Sequence, residues 1–312
     1  MDAEIVIFGG TAHPALADEI CEGLRVTRSP VRTTRFANDC LQVQLQANCR
    51  ERDVYLIQPL VPPVQENLIE LLLMADAARG ASAARVTAVM SHYAYARSDK
   101  KDAPRISIGG RLVADLLVTA GVNRVLTLTL HSPEVHGFFS VPVDHLHALR
   151  ELAAHFRQRD LSRAVVLSPD LGYAQSAAAV ARRLGLPVAA GAKERFSDDR
   201  VAISAIIGDV ADRDVIVVDD EIARGTTVIE LLSVLRRQEV RSISVACTHG
   251  LFADGALEKL AAAEDVTEIV STNSVPMPFA HPKLTVLSVA PALAEAIRRT
   301  HDGESVSVLF QH

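Results

Sequence analysis

The stretch DVIVVDDEIARGTTV (214–228) ends an apolar run in two adjacent carboxylates, Asp219 and Asp220. A loop of mainly small residues follows: Ala223, Arg224, Gly225, Thr226 and Thr227. In a parallel α/β sheet, ligands bind beyond the carboxyl ends of the strands. Small residues ahead of a helix let backbone N–H groups reach an anion, and threonine hydroxyls add donors. Acids beside such a cradle suit a sugar phosphate. The loop takes the phosphate, and the carboxylates take ribose-type hydroxyls or a divalent cation. A solvated strand end before an ordinary helix start has the same pattern, so spacing alone leaves both readings open.

Other stretches offer complementary chemistry. SHYAYARSDKKDAPRISIGG (91–110) packs Arg97, Asp99, Lys100, Lys101, Asp102 and Arg105 between a strand and a helix. That loop is either a solvated turn or a set of phosphate partners. His131 directly follows an apolar strand, whereas His136 and His145 carry no such placement. Asp170 ends the strand of VVLSPDLGY (165–173), the matching position of the second half. In AKERFSDDR (192–200), Lys193 and Arg195 are cations one residue apart in a polar segment. They are either a surface cluster or a pair that closes over a transferring phosphoryl group.

These residues need strand ends and helix starts to hold them. Apolar runs at 4–10, 53–58, 85–90 and 124–130 read as strands, as do those at 164–170, 214–220, 242–248, 268–274 and 284–290. Helical spacing separates them, for example at 64–80, 107–121 and 226–238, with Ser107 as a capping candidate and Gly121 and Gly185 as helix stops. Alternating β and α segments predict an α/β fold with mainly parallel sheets covered by helices on both faces. A loose repeat relates LVADLLVTAGVNRVLTLTLH to ELLSVLRRQEVRSISVACTH, each ending in histidine. It suggests two copies of one doubly wound unit, divided as 1–146 and 147–312.

The chain's 312 residues suit two medium domains, and 49% apolar composition supports sizeable cores. Four cysteines without a CxxC pair fit a reducing compartment and give no zinc signature. A net charge of −6 without a long basic run argues against nucleic acid as partner. There is no long apolar stretch and no leader-like N-terminus, so the expectation is a cytoplasmic protein that does not cross a membrane.

Taken in order, the stretches resemble ribose-phosphate diphosphokinases over essentially the whole chain. The resemblance rests on FGGTAHPALA, VPPVQENLIELLLMADA, YARSDKKD, RLVADLLVTAGVNRVLTLTLH, HGFFSVPVDHL, VVLSPD, VVDDEIARGTT, STNSV and ESVSVLF. It implies two tandem phosphoribosyltransferase-type domains, a homo-oligomer built from dimers, and transfer of the diphosphate of ATP to C1 of ribose 5-phosphate with Mg²⁺. By the same resemblance, Asp219, Asp220 and Ala223 to Thr227 hold ribose 5-phosphate, and Lys193 and Arg195 are catalytic. Phe36, Asn38, Cys40, Arg97, Ser98, Asp102 and His131 belong to the ATP site, with Phe36 stacking on adenine from a neighbouring subunit. His131 and Asp170 lie by the metal.

Several positions depart from the family pattern. Asn38 and Cys40 stand where two carboxylates would read the adenine amino group. Ser98 replaces glutamine, Thr129 an acid, Pro133 an acid, Tyr173 a second glycine, and Arg224 a threonine. Ala223 stands where an acid is common. These changes keep two alternatives in view: a non-catalytic regulatory or assembly paralogue, and a diphosphotransferase with another nucleotide or phosphosugar.

Overall fold

Runs such as DVYLI and AVVLS are buried along their whole length, as strands covered on both faces must be. The structure, a computed structural model, describes residues 4–197 and 200–309, with the backbone alone for 193–197, 200–202 and 204. The first elements are β1 (Ile5–Gly9), α1 (Pro14–Leu24), β2 (Val31–Arg35), β3 (Leu41–Leu45), β4 (Asp53–Ile57) and α2 (Val64–Gly80). They are followed by β5 (Arg85–Met90), α3 (Gly109–Ala120), β6 (Arg124–Leu128), β7 (Val143–Leu146) and α4 (Leu149–Phe156). Next come β8 (Ala164–Ser168), α5 (Ala174–Leu184), β9 (Val188–Ser197), β10 (Arg200–Ile207), β11 (Asp214–Ile222) and α6 (Thr226–Arg237). The last are β12 (Ser242–Gly250), α7 (Ala256–Ala261), β13 (Val266–Thr272), β14 (Leu284–Leu287) and α8 (Ala290–His301).

The chain divides into two units. The first comprises Met1–His147, Ser274–Pro276 and Val289–Gln311. Its sheet runs β1-β4-β5-β6-β7, all parallel, and β2 and β3 form a separate antiparallel hairpin. The second unit comprises Ala148–Asn273 and Met277–Ser288. Its sheet runs β10-β9-β8-β11-β12-β13-β14, parallel except for the β9–β10 hairpin. Val215 and Val217 join the core beneath α6 and α7, while Ile216 and Val218 join the core beneath α4 and α5. The fold class is therefore the expected α/β arrangement with mainly parallel sheets.

Two sequence expectations differ from the structure. A second domain running to 312 does not match the grouping of Val289–Gln311 with the first unit. The apolar face of α8, including Leu293 and Ile297, packs on α1, and Gly23 lets the helices approach: a Cβ there would sit 3.1 Å from Ala294 Cβ. An amphipathic helix shows that it must cover something, not which sheet it covers. Ser107 is not the cap of α3 either. The cap position is Ile108, and the Gly109 N–H instead donates to Ser98 Oγ at 2.9 Å across the preceding loop.

Candidate active site

The second unit's sheet has its switch point at β8. The chain leaves β8 for β9 on one side, then returns to β11 on the other, and such points leave a crevice at the carboxyl edge. Here the crevice has a defined cause. β11 pairs with β8 only over Asp214–Val217, but with β12 as far as Ile222 opposite Gly250. The β8 side of residues 218–222 therefore has no ladder partner from β8, and both acids lie in that notch.

Strand alternation puts Asp220 on the face of Ile216 and Val218, and Asp219 on the face of Val215 and Val217. Asp219 Oδ1 accepts the N–H of Asp220 at 2.9 Å. Burial holds the Asp219 carboxyl well above the usual carboxylate range, and the charges of Asp220 and Asp170 push the same way. Cys247, opposite Asp219 in the register, is pushed up to about 12, mainly by its burial. A cation or hydroxyl donors placed at the notch would offset this repulsion.

Asp170 follows β8 at the same edge. Its Oδ1 accepts the Tyr173 N–H at 3.1 Å, and Ser168 Oγ donates to its carbonyl at 2.6 Å, which pins the turn into α5. Tyr173 packs its ring on the core beneath that helix.

The loop after β11 presents an anion cradle. Gly225 occupies the cap position of α6 with φ +70°, a conformation that glycine adopts without the Cβ penalty, and no side chain caps the helix. First-turn N–H groups thus face outward beside the exposed Thr226 and half-buried Thr227. The loop is braced from behind: Phe252 N donates to Ile222 O at 3.1 Å, and Ala253 N to Ala223 O at 2.9 Å. Arg224 turns outward with its side chain 75% exposed, its Nε 2.8 Å from Asp254 Oδ2. Asp254 follows the next strand, so no local signal in the sequence pairs it with Arg224.

Lys193 and Arg195 lie on β9, opposite Ile203 and Val201 of β10. The sequence reads this segment as a polar loop, and the backbone forms a hairpin strand. Both side chains lie outside the described residues.

In the first unit, the loop after β5 is built on hydrogen bonds. Tyr93 Oη donates to Gly110 O at 2.8 Å, and Gly110 N to Ser98 O at 2.9 Å. Ser98 Oγ also donates to Ser107 O at 3.3 Å, so this hydroxyl closes the loop. Arg97, Lys100, Lys101, Asp102 and Arg105 remain exposed along it. Ser132 Oγ lies 2.8 Å from Asp99 Oδ2 and joins this loop to the one after β6, a link that no spacing announces. His131 is exposed at that edge, two residues after Thr129, which is buried at φ +43°. A β-branched residue in that conformation is strained, and such strain gathers at functional edges.

Phe36, Asn38 and Cys40 all lie in the exposed turn between β2 and β3, where Phe36 is 48% exposed. Asn38 Oδ1 accepts the Cys40 N–H at 3.3 Å within the turn. The hairpin's position is set by buried Glu70 of α2. Its Oε1 accepts from Thr33 Oγ1 at 2.7 Å, and its Oε2 from Thr11 Oγ1 and Gln58 Nε2, each at 2.6 Å. Among the described residues, no group of three or more His, Cys, Asp or Glu side chains forms a ready metal site.

Comparison with known proteins bears on the family and the fold. Residues 5–121 match the family described as the N-terminal domain of ribose phosphate pyrophosphokinase, and 194–311 match the phosphoribosyl synthetase-associated domain. A Streptomyces coelicolor protein, named provisionally as a ribose-phosphate pyrophosphokinase, is 71% identical over 309 residues, 98% of each chain. The Deinococcus radiodurans ribose-phosphate pyrophosphokinase is 49% identical over 313 residues, again 98% of each. The crystal structure of phosphoribosylpyrophosphate synthetase from Mycobacterium smegmatis superposes with a TM-score of 0.90 at 36% identity. That match covers 96% of this chain and 99% of the other.

Proposed function

The chain belongs to the ribose-phosphate pyrophosphokinase family, and from that membership we propose that it transfers the β,γ-diphosphate of ATP to the C1 hydroxyl of ribose 5-phosphate. The products are phosphoribosyl diphosphate and AMP. The observation that carries this reading is the notch at the β8–β11 switch point, with two acids beside an uncapped helix start. A sugar with adjacent hydroxyls and a terminal phosphate matches that pairing of groups.

In this reading, Asp219 and Asp220 accept from ribose hydroxyls, while Ala223, Gly225, Thr226 and Thr227 enclose the 5-phosphate. Arg224 stands at the rim with Asp254. Arg97, Ser98, Asp102 and His131 belong to the ATP site, Ser98 by shaping its loop. Phe36 stacks on adenine in a neighbouring subunit of a homo-oligomer, with Asn38 and Cys40 beside it. Attack at the β-phosphorus needs an in-line hydroxyl and charge neutralisation, with little covalent help. Lys193 and Arg195 supply that neutralisation.

Mg²⁺ fits the same edge. The mutual repulsion of Asp170, Asp219 and Asp220 is a property that a divalent cation would relieve. Mg²⁺ keeps several waters and takes few protein carboxylates beside substrate phosphates. Asp170 is the residue of this edge assigned to it, and when bound it would neutralise charge on the diphosphate. No helix among the described residues is long and apolar enough to cross a membrane, and the reading is of a cytoplasmic enzyme without nucleic-acid partners.

The test is AMP formation from ATP by the purified protein, with product mass measured across a panel of nucleotides and phosphosugars. The expected result is AMP that requires both ribose 5-phosphate and Mg²⁺. No nucleoside monophosphate from any nucleotide would overturn the proposal. Light scattering checks the oligomer, and a monomer at assay concentration would refute that part.

A further inference from the structure

The hydroxyl of Tyr173 is buried and makes no hydrogen bond. Such a group is costly, because it has left water without gaining a partner. Its surroundings show what it lacks. The ring lies on the α5 side of the sheet, packed on the core that includes Ile216 and Val218. Asp220 projects to that same face, two residues beyond Val218 on β11. The charges acting on the phenol most strongly are those of Asp220, then Asp219. The Ser176 hydroxyl, further along α5, interacts with it without completing a hydrogen bond. A donor without an acceptor thus stands beside two carboxylates that repel each other.

We propose that Tyr173 is a positioning residue for the sugar site, donating its phenolic hydrogen to Asp220 when ribose 5-phosphate is bound there. This rests on the assignment of Asp219 and Asp220 to the ribose. Binding of the sugar requires both carboxylates to act as acceptors, and an added neutral donor stabilises the second charge without a second cation. The turn supports the geometry. The Tyr173 N–H holds Asp170 Oδ1 at 3.1 Å, which fixes this residue just beyond the end of β8, where β11 runs on past its last β8 partner.

The substitution Tyr173→Phe keeps the ring and removes only the hydroxyl. Calorimetric titration of ribose 5-phosphate in the presence of Mg²⁺ reads the effect, with steady-state kinetics alongside. The dissociation constant and KM for ribose 5-phosphate should rise about tenfold, the ordinary size of a hydrogen bond to a charged group. KM for ATP and the turnover number at saturation should stay within about twofold of the wild type, since the lost contact is to one substrate's site. The melting temperature without substrate should not fall, because deleting an unsatisfied buried hydroxyl is neutral or stabilising. Unchanged ribose 5-phosphate affinity in Tyr173→Phe, with the wild type binding normally, overturns this inference and leaves the proposed reaction standing. A lowered melting temperature with KM for both substrates altered together would also overturn it, by marking the hydroxyl as structural. If the wild type fails to bind ribose 5-phosphate, it is the proposed reaction that fails.

Discussion

In the proposed reaction, single residues among the cations on β9 and in the hairpin turn after β2 would decide rate and choice of nucleotide. Lys193 is assigned to charge that develops during transfer, so Lys193→Ala should lower turnover about a hundredfold or more while KM for ribose 5-phosphate changes little. Steady-state kinetics check this, and equal losses in both would argue for a binding role instead. At the hairpin turn, Asn38 has its side-chain oxygen engaged with the Cys40 N–H, which leaves the turn short of acceptors for an exocyclic amine. Cys40→Glu restores one acceptor. Its expected effect is an increase of about tenfold in the preference for ATP over GTP, measured as the ratio of kcat/KM values. No change in that ratio would show that this turn does not read the base.

At the scale of elements, the proposed phosphate cradle depends on one backbone conformation. Gly225 at φ +70° starts α6, and a Cβ there would meet only ordinary contacts, the nearest being Ala256 Cβ at 3.4 Å. The cost of Gly225→Ala is therefore conformational, about 1–2 kcal/mol. Thermal unfolding should show that modest loss, while KM for ribose 5-phosphate rises by a larger factor because the loop's N–H groups lose their aim. A full-sized stability loss with an unchanged KM would remove the cradle from phosphate binding. The elements of this cradle were legible in the sequence because strand, acids, loop and helix follow one another within a single βα turn. The β2–β3 and β9–β10 hairpins were not. Val31–Arg35 and Leu41–Leu45 are short and half-exposed, and the cationic β9 reads as loop by its polarity. Ser98 and Tyr173 were visible as departures from a pattern, but their roles come from tertiary closeness. Ser98 meets Gly109 across a loop, and Tyr173 packs on a core that β8 and β11 share.

For the whole molecule, the last helix to emerge completes the first unit rather than the second. α8 is held there by packing on α1 and by a buried polar cluster at the start of β4. Asp53, 2% exposed, accepts from Arg85 through both of its oxygens, from Tyr55 Oη at 3.0 Å, and from His301 Nδ1 at 2.9 Å. Arg85 also reaches Thr300 O at 3.2 Å, so the cluster ties β4 and β5 to the end of α8. Burial alone would raise the Asp53 carboxyl, yet the hydrogen bonds from Arg85 and His301 prevail and lower it below its ordinary value. A carboxyl lowered on folding stabilises the native state above its unfolded pKa of about 3.9, and that contribution is lost as pH falls through the lower folded value. Urea midpoints measured from pH 6 downward should therefore fall more steeply below about pH 4 in the wild type than in Asp53→Asn. At neutral pH the same substitution should cost about 2–4 kcal/mol, because it strands Arg85 beside a neutral partner, although partial exposure of that arginine softens the loss. Hydrogen exchange locates the damage: protection should drop in α8, α1 and β4 while β11 and β12 keep theirs. Equal loss in both units would mean that α8 is not the first unit's own structural member.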